Sequence, residues 1–584
     1  KNKAKATWSF HGDAGGGYSW QPDGAIWDGE LFAMAVMPNF QNITTFKTNN
    51  IGEDLSAQAT DFFASRRGTD LSRYVGVSLP GVPNLSRKRT LFNRSALVST
   101  NALWKLGRGE FKTQIDYSFN RITAEAANVT TYFLNDGNRV VTEDRNGVDR
   151  SHSLSGKFIY ELNQKTAFIN NTLKTNIDWD DVRLGVTGSL SNNQTASLPA
   201  YYVGNDFKLI KRFNGKHLVT FISKNEWESL PQTLSVSIND GFMRQQVKDH
   251  AFYTNESAAY AFSVKGITIS LEGGVKGYVR TMRSELPDMP EEIPGETTNV
   301  LNTNYFTVYA TPKFEYWVRR VNFTLNAPVS FAHYTFDKAL ANRSEVYFSP
   351  SLSMNWKPNN RFEMSVSGGT GRSPMDLNMI QPGYVMTNYR SFRRGIDDFY
   401  NSSSQRVSGR LSYKHTRRGI FANAMVMQSW SHRPYTLAQQ LYGDYVVYSY
   451  TDAESDGQML MASGNIGKTL DFMRGSANIN GSFSRNESHL ISENTNVNSV
   501  GTSWSVGAKI NGAPLRWFSF DYRFEWASSR MSMNGTNASW LGNMENELLL
   551  NIMPHRKWEW HISGEHYRNE LTADQFKNVF LLDT

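Results

Sequence analysis

From Trp517 onward apolar and polar residues alternate, with Phe518, Phe520, Tyr522, Phe524 and Trp526 on one side and Ser519, Asp521, Arg523 and Glu525 on the other. A period of two marks a β-strand, because successive side chains of an extended backbone point to opposite faces. The pattern recurs in Phe111, Ile115, Tyr117 and Phe119 against Glu110, Lys112, Gln114 and Asp116, and in Leu154, Phe158, Tyr160 and Leu162 against Ser155, Lys157 and Glu161. It returns at 321–327, 362–366, 477–483, 504–510 and 558–565, and no stretch carries a comparably sustained helical period.

Eleven short polar turns punctuate these segments, at 37–39, 107–109, 163–165, 214–215, 265–266, 319–320, 358–360, 416–418, 471–472, 512–514 and 554–556. Turns of this kind join antiparallel neighbours. A spacing of about 40 to 70 residues accommodates two strands of roughly 10 residues and one much longer connection at the opposite end. With a first strand near 3–11 and a last near 577–583, the turns predict about 24 strands.

Composition decides what kind of sheet this is. Hydrophobic residues make up 39% of the 584 residues, aromatics 13% and charged residues 20%, and the mean hydropathy is −0.49. A helical membrane bundle is excluded, since each span needs about 20 consecutive apolar residues and the longest clean run is 31–37. The aromatic content argues against disorder. Length alone suggests about four domains, but no Pro- or Ser-rich linker divides the chain, so residues 1–584 read as a single domain. The absence of cysteine excludes disulfides, thiolate metal sites and a cysteine nucleophile. The net charge of +7 arises from 61 basic and 54 acidic residues interspersed along the whole length. A nucleic-acid partner would call for a clustered basic patch, and none is expected. The chain starts at Lys1 without a signal-peptide pattern, which reads as a processed or truncated form.

A soluble sandwich would also alternate. Trp104, Trp317, Trp356, Trp517 and Trp558 each lie within a few residues of a short turn, however, which is where an interfacial aromatic girdle is required. The expected fold is therefore all-β: a large transmembrane antiparallel β-barrel of 22–24 strands, with short periplasmic turns and long extracellular loops. Such a barrel is wide enough for an aqueous or plugged lumen, and closure is demanded because open sheet edges cannot be satisfied in lipid.

The segments 46–56 (Phe-Lys-Thr-Asn-Asn-Ile-Gly-Glu-Asp-Leu-Ser), 201–212 (Tyr-Tyr-Val-Gly-Asn-Asp-Phe-Lys-Leu-Ile-Lys-Arg), 230–236 (Leu-Pro-Gln-Thr-Leu-Ser-Val) and 349–358 (Ser-Pro-Ser-Leu-Ser-Met-Asn-Trp-Lys-Pro) carry a resemblance that extends over most of the chain. The chain resembles the barrel of a TonB-dependent outer-membrane transporter, of the branch in which a carboxypeptidase-regulatory-like domain and a plug precede the barrel. The resemblance implies about 22 strands, an upstream plug with a TonB-contacting segment, and a final strand ending on an aromatic residue. The terminal segment 579–584 breaks off as though mid-strand, so a further hairpin is expected beyond it, and one or two of the turn-derived strands are expected to be loop hairpins.

Four long connections, 51–92, 285–303, 371–404 and 432–457, should face outward and carry specificity. The last holds Tyr435, Tyr442, Tyr445, Tyr448 and Tyr450, candidates for stacking against a sugar ring or an apolar ligand face, or else for packing the loops together. Glu285, Asp288, Glu291, Glu292 and Glu296, interrupted by Pro287, Pro290 and Pro294, read as a solvated acidic loop. The run 144–149 lacks the ligand series of a calcium loop, His561 and His566 point to opposite faces of a strand, and 368–373 lacks the ending of a phosphate loop. No catalytic residue, metal site or cofactor is expected, and no enzyme activity.

The leading expectation is energised import of a nutrient (a glycan, peptide or chelate) across the outer membrane of a Gram-negative bacterium. Outer-membrane lipids, TonB through an upstream segment, and a surface lipoprotein or other outer-membrane subunits are the expected partners. The alternative is a barrel scaffold within a multi-protein outer-membrane assembly or secretion complex, with a passive porin third.

Overall fold

In the computed structural model the alternating segments pair into one sheet of 32 strand segments. The described residues are 6–20, 23–59, 67–82, 85–134, 137–189, 191–213, 217–238, 241–337, 340–443, 445–555, 557–572 and 575–583. Sequential neighbours along the wall pair antiparallel, as hairpins joined by tight turns must. Asn192–Ser197 with Ala200–Phe213, and Val321–Asn326 with Val329–Phe336, line up end to end against a shared neighbour, and Arg343–Phe348 with Ser351–Asn359 line up end to end against the second of these pairs. Each is one stave interrupted at a proline, Pro199, Pro328 or Pro350, which has no N–H to give to the ladder. Five further short segments, Val385–Asn388, Ser391–Arg394, Thr436–Tyr442, Tyr445–Thr451 and Thr536–Asn537, belong to the loops. What remains among the described residues is a meander of 24 staves. That is the upper end of the expected range, and it corrects one expectation: the loop hairpins come in addition to the turn-derived strands and replace none of them.

The turns fall close to their predicted places. Lys265 and Gly266 both have positive φ, +48° and +82°, and two left-handed residues in succession give the hairpin twist that matches flanking strands. One turn is displaced: Leu515 pairs with Phe518, so the chain reverses at Arg516 and Trp517, and Gly512 to Pro514 instead form the irregular end of the strand. Residues 214–215 and Arg556, predicted in two other turns, lie outside the described residues.

The two faces of the wall differ as the alternation requires. On Ile267–Glu285 the outward residues Leu271, Val275 and Val279 are 53%, 37% and 55% exposed, a lipid-facing surface. The opposite face carries Glu272 and Lys276. Lumen-facing charges pair across and along the strands, as in Lys174 with Asp206 at 3.3 Å, Lys509 with Asp521 at 3.1 Å, and Lys313 with Glu315. Trp317, Trp356, Trp517 and Trp558 stand exposed beside the short turns, while Trp104 is half-buried between Phe40 and Phe111. A second exposed set, Trp179, Trp227, Trp430 and Trp526, lies about ten residues further along the strands, the span an apolar belt requires.

Many strands continue beyond that belt. Gly109–Leu134 and Gly137–Asn163 have 26 and 27 residues, well over twice the 9–11 or so needed to cross. In these extensions the inward face turns apolar, with Val182, Leu184, Val186, Ala196, Leu234, Val236, Val247 and Met282 all buried in one cluster. Something must cover that face, and the long loops do.

Adjacent positions on one strand test the assignment of faces. Leu271→Arg places a cation in lipid and is expected to lower unfolding stability by about 2–4 kcal/mol, whereas Ser270→Arg on the lumen face changes it by less than about 1 kcal/mol. Equilibrium denaturation from lipid vesicles measures both, and equal losses would contradict the assignment.

Candidate functional site: the loop-closed mouth of the barrel

The connection after Phe40–Asn49 turns back into the barrel, and its residues 67–79 lie along the inner wall. Polar side chains of the strand His217–Ile238 grip its backbone. Glu226 accepts from the Gly68 N–H and from the Tyr202 hydroxyl at 2.7 Å, and Glu228 accepts from Arg67 and from the Thr69 hydroxyl. Further along, Gln232 Oε1 accepts from the main-chain N–H groups of Tyr74 and Val75 at 2.7 and 3.2 Å. Position 68 requires glycine, because a Cβ there would come within 2.2 Å of the Tyr253 ring.

The connection between Phe362–Pro374 and Asn401–His415 folds inward beside it. Asn299 holds Gly383 from both sides, accepting from its N–H at 2.7 Å and donating to its carbonyl at 3.1 Å. Gln245 accepts from the Met386 N–H at 2.9 Å, and Tyr389 donates to Glu143. The two loops also bind each other: Gly76 N–H donates to the Thr387 carbonyl at 3.2 Å, and Asn378 Nδ2 donates to the Asp70 carbonyl at 2.8 Å.

Arg280 ties both loops to the wall. It forms a bidentate pair with Asp249, at 2.9 Å from Nε and 2.7 Å from Nη2, and both residues are buried. Its Nη1 donates to the Leu377 carbonyl at 3.0 Å in one loop, and its Nη2 donates to the Tyr74 hydroxyl in the other. Burial pushes the Tyr74 phenol up to about 12, although the Arg280 charge acts the other way. Burial, followed by the hydrogen bond to Glu143, pushes Tyr389 up to about 12 as well.

A third element closes over these two. The hairpin Thr436–Tyr442 and Tyr445–Thr451 pairs in parallel with Ser391–Arg394 of the second loop. The five tyrosines singled out from sequence are divided between two places. Tyr435 is 5% exposed, with rings of Tyr400 and Tyr450 each 6.0 Å away, while Tyr442 and Tyr445 pack at the edge of the wall-and-loop core, Tyr445 edge-on to Phe392 at 5.5 Å. Tyr448 is half-buried on the same hairpin strand as Tyr445 and Tyr450, and Tyr450 lies under the Arg393 guanidinium at 5.7 Å.

Other sequence candidates resolve simply. In the acidic connection Leu286 and Ile293 are buried in the core. Residues 144–149 lie within the strand Gly137–Asn163 and 368–373 within Phe362–Pro374. No group of three or more His, Asp or Glu with metal-holding geometry occurs among the described residues. Sequence reading missed the gripping side chains altogether. Their signal was a polar residue at core parity, as with Gln232 between Leu230 and Leu234, Gln245 between Met243 and Val247, and Asp249 between Val247 and Ala251.

No family model and no curated protein matches the sequence. Solved structures do match. A ferric enterobactin receptor from Pseudomonas aeruginosa, in complex with enterobactin, superimposes with a TM-score of 0.50 at 11% identity, covering 82% of this chain and 73% of that one. The fold is that of an outer-membrane receptor barrel. The outer membrane transporter YddB from Escherichia coli is similar at 9% identity and a TM-score of 0.49, with 84% of this chain and 75% of that one covered. The ferric yersiniabactin uptake receptor FyuA from Yersinia pestis gives 9% identity and 0.48, with 100% and 79% covered. Identities this low speak to the fold alone.

Arg280→Leu leaves Asp249 buried without its partner, a change that costs about 3–5 kcal/mol. Amide exchange at 67–79 and 376–387 should accelerate while the staves stay protected; unchanged exchange in both loops would show that the pair does not hold them. A phenol raised by burial stabilises docking fully below its ordinary value of 10 and loses that contribution as pH rises toward 12. Loop exchange should therefore increase across that window, and Tyr74→Phe should reduce the increase.

Proposed function

We propose that the chain is the barrel of an outer-membrane importer whose outer mouth is gated by its own loops. A single observation carries this reading: a polar, ion-paired lumen lies beneath loops that are bound to the wall through side chains rather than left free above it. A passive pore would gain nothing from a wall that grips its own loops. The likeness in fold to outer-membrane receptors supports the same class.

In this reading a nutrient (a glycan, a peptide or a chelate) meets the hairpin carrying Tyr442, Tyr445, Tyr448 and Tyr450, whose flat apolar rings and polar tips suit a sugar or an apolar ligand face. Tyr435 packs against the Tyr450 ring of this hairpin, 6.0 Å away. TonB, acting through an upstream segment, supplies the energy, and a surface lipoprotein is a fitting partner over the mouth.

Uptake by intact cells tests the proposal. Cells lacking the gene, given labelled oligosaccharides, oligopeptides and ferric chelates, should fail to accumulate at least one class, and a protonophore should abolish that accumulation in the parent. Unchanged uptake of all three, with the protein co-purifying in a stable complex of other outer-membrane subunits, would replace the importer with a scaffold.

A further inference from the structure

The wall has a notch on its outer side. Strands Phe40–Asn49 and Phe92–Leu106 stop at Asn49 and Phe92, while Gly109–Leu134 and Gly137–Asn163 continue beyond them. A cavity of 680 Å³ results, lined by Trp27, Asn50, Phe92, Arg94, Arg121 and Thr123 among others.

Register places three arginines in a row across this region. Arg94 pairs with Arg121, and Arg121 pairs with Arg150. Directly paired residues share a face with their Cβ atoms about 4.5–5.5 Å apart, and like charges so placed are destabilising. The shared face is the outward one, since the same parity carries Val98, Ile115 and Tyr117, each 38–39% exposed, immediately below. The row therefore lies at the upper edge of the lipid-facing belt, at headgroup depth.

None of the three forms an ion pair among the described residues, and Arg121 Nε is buried without a hydrogen-bond partner. Asp181, opposite Arg150 in register, makes no ion pair with it among those residues. Other outward arginines at this height have a carboxylate beside them, as with Arg485 and Glu487 at 3.9 Å and Arg568 and Glu570 at 4.0 Å, or a ring, as with Arg530 and Trp540 at 4.7 Å. Arg94 has only the Trp27 ring, 6.0 Å from its guanidinium carbon. Three arginines in one cross-strand row, none ion-paired among the described residues and only Arg150 with a carboxylate opposite it in register, offer forked donors that match phosphate oxygens.

We propose that Arg94, Arg121 and Arg150 bind the phosphate groups of an outer-leaflet glycolipid, with its acyl chains lying down the strip of Val98, Ile115 and Tyr117. The inference rests on the outer-membrane reading. It adds a lipid site to the outside of the barrel, on the opposite surface of the wall from the ligand gate.

Native mass spectrometry of the full chain, folded in detergent, tests it with diphosphorylated lipid A, its dephosphorylated form and inorganic phosphate as probes. Diphosphorylated lipid A should remain bound, the dephosphorylated form should not, and excess inorganic phosphate should fail to displace it. The triple variant Arg94→Gln, Arg121→Gln, Arg150→Gln should bind on the order of a hundredfold more weakly, and Arg121→Gln alone should weaken binding measurably. In zwitterionic detergent without phosphate the triple variant should denature later than the parent, because the like-charge row is relieved. Undiminished binding by the triple variant, or displacement by inorganic phosphate, would overturn the assignment. A heat-dependent shift in gel mobility separates the two readings. A chain that folds but binds no phosphorylated glycolipid refutes this site alone, and a chain that never acquires the shift refutes the membrane barrel and the site together.

Discussion

Lipid offers no hydrogen bonds, and the rest of the structure depends on that constraint. Every backbone N–H and C=O within the bilayer must find a partner in the chain, so a β protein crosses only as a continuous ladder in which each stave satisfies the next. The meander from Thr7–Trp20 to Gln575–Asp583 is such a ladder between its two end strands, each of which pairs on one side only among the described residues. It also explains the three interrupted staves. Proline breaks the hydrogen-bonding row, so Pro199, Pro328 and Pro350 separate the two segments of a stave, and pairing to the adjacent stave resumes beyond each.

The constraint also determines what was legible. A period of two shows which residues share a face, and Phe518 to Trp526 are placed as their alternation requires. The mean hydropathy of −0.49 conceals this because apolar and polar positions cancel in the average. The tryptophans near the turns mark the height of the interface rather than the face, since Trp104, Trp356 and Trp558 share the outward parity whereas Trp317 and Trp517 share that of Lys313 and Asp521. Less legible is where along a strand the surroundings change. In His217–Ile238 the same parity runs from Lys224 and Glu226 in the lumen to Leu234 and Val236 in a packed core. Alternation is unbroken across that change, so the pattern gives no mark at which the membrane ends and the loop-covered core begins.

The docking of the loops was largely hidden for a related reason. A polar residue facing a lumen and a polar residue gripping a loop look identical in a one-strand pattern. Gln232 and Asn299 become meaningful only when the main-chain groups of Tyr74 and Gly383 arrive from far along the chain. The tyrosines misled in the opposite way: clustered in sequence, they are parted by a hairpin that sends Tyr435 and Tyr450 to one core and Tyr442 and Tyr445 to another. Arg94, Arg121 and Arg150 are remote in sequence and adjacent only through the register of long strands.

Cooperative docking of the two loops follows from how Arg280 is shared. A loop held by separate bonds could peel away piece by piece, each step costing about 1 kcal/mol. Here one buried guanidinium serves Asp249 on the wall, Leu377 in one loop and Tyr74 in the other. Lifting either loop exposes the pair to water and leaves the other loop short of a donor, while the direct bonds at Gly76 and Asn378 pull on the partner. The two loops therefore leave together or stay together. The outer hairpin is coupled to the same pair, because Ser391–Arg394 joins it to the second loop.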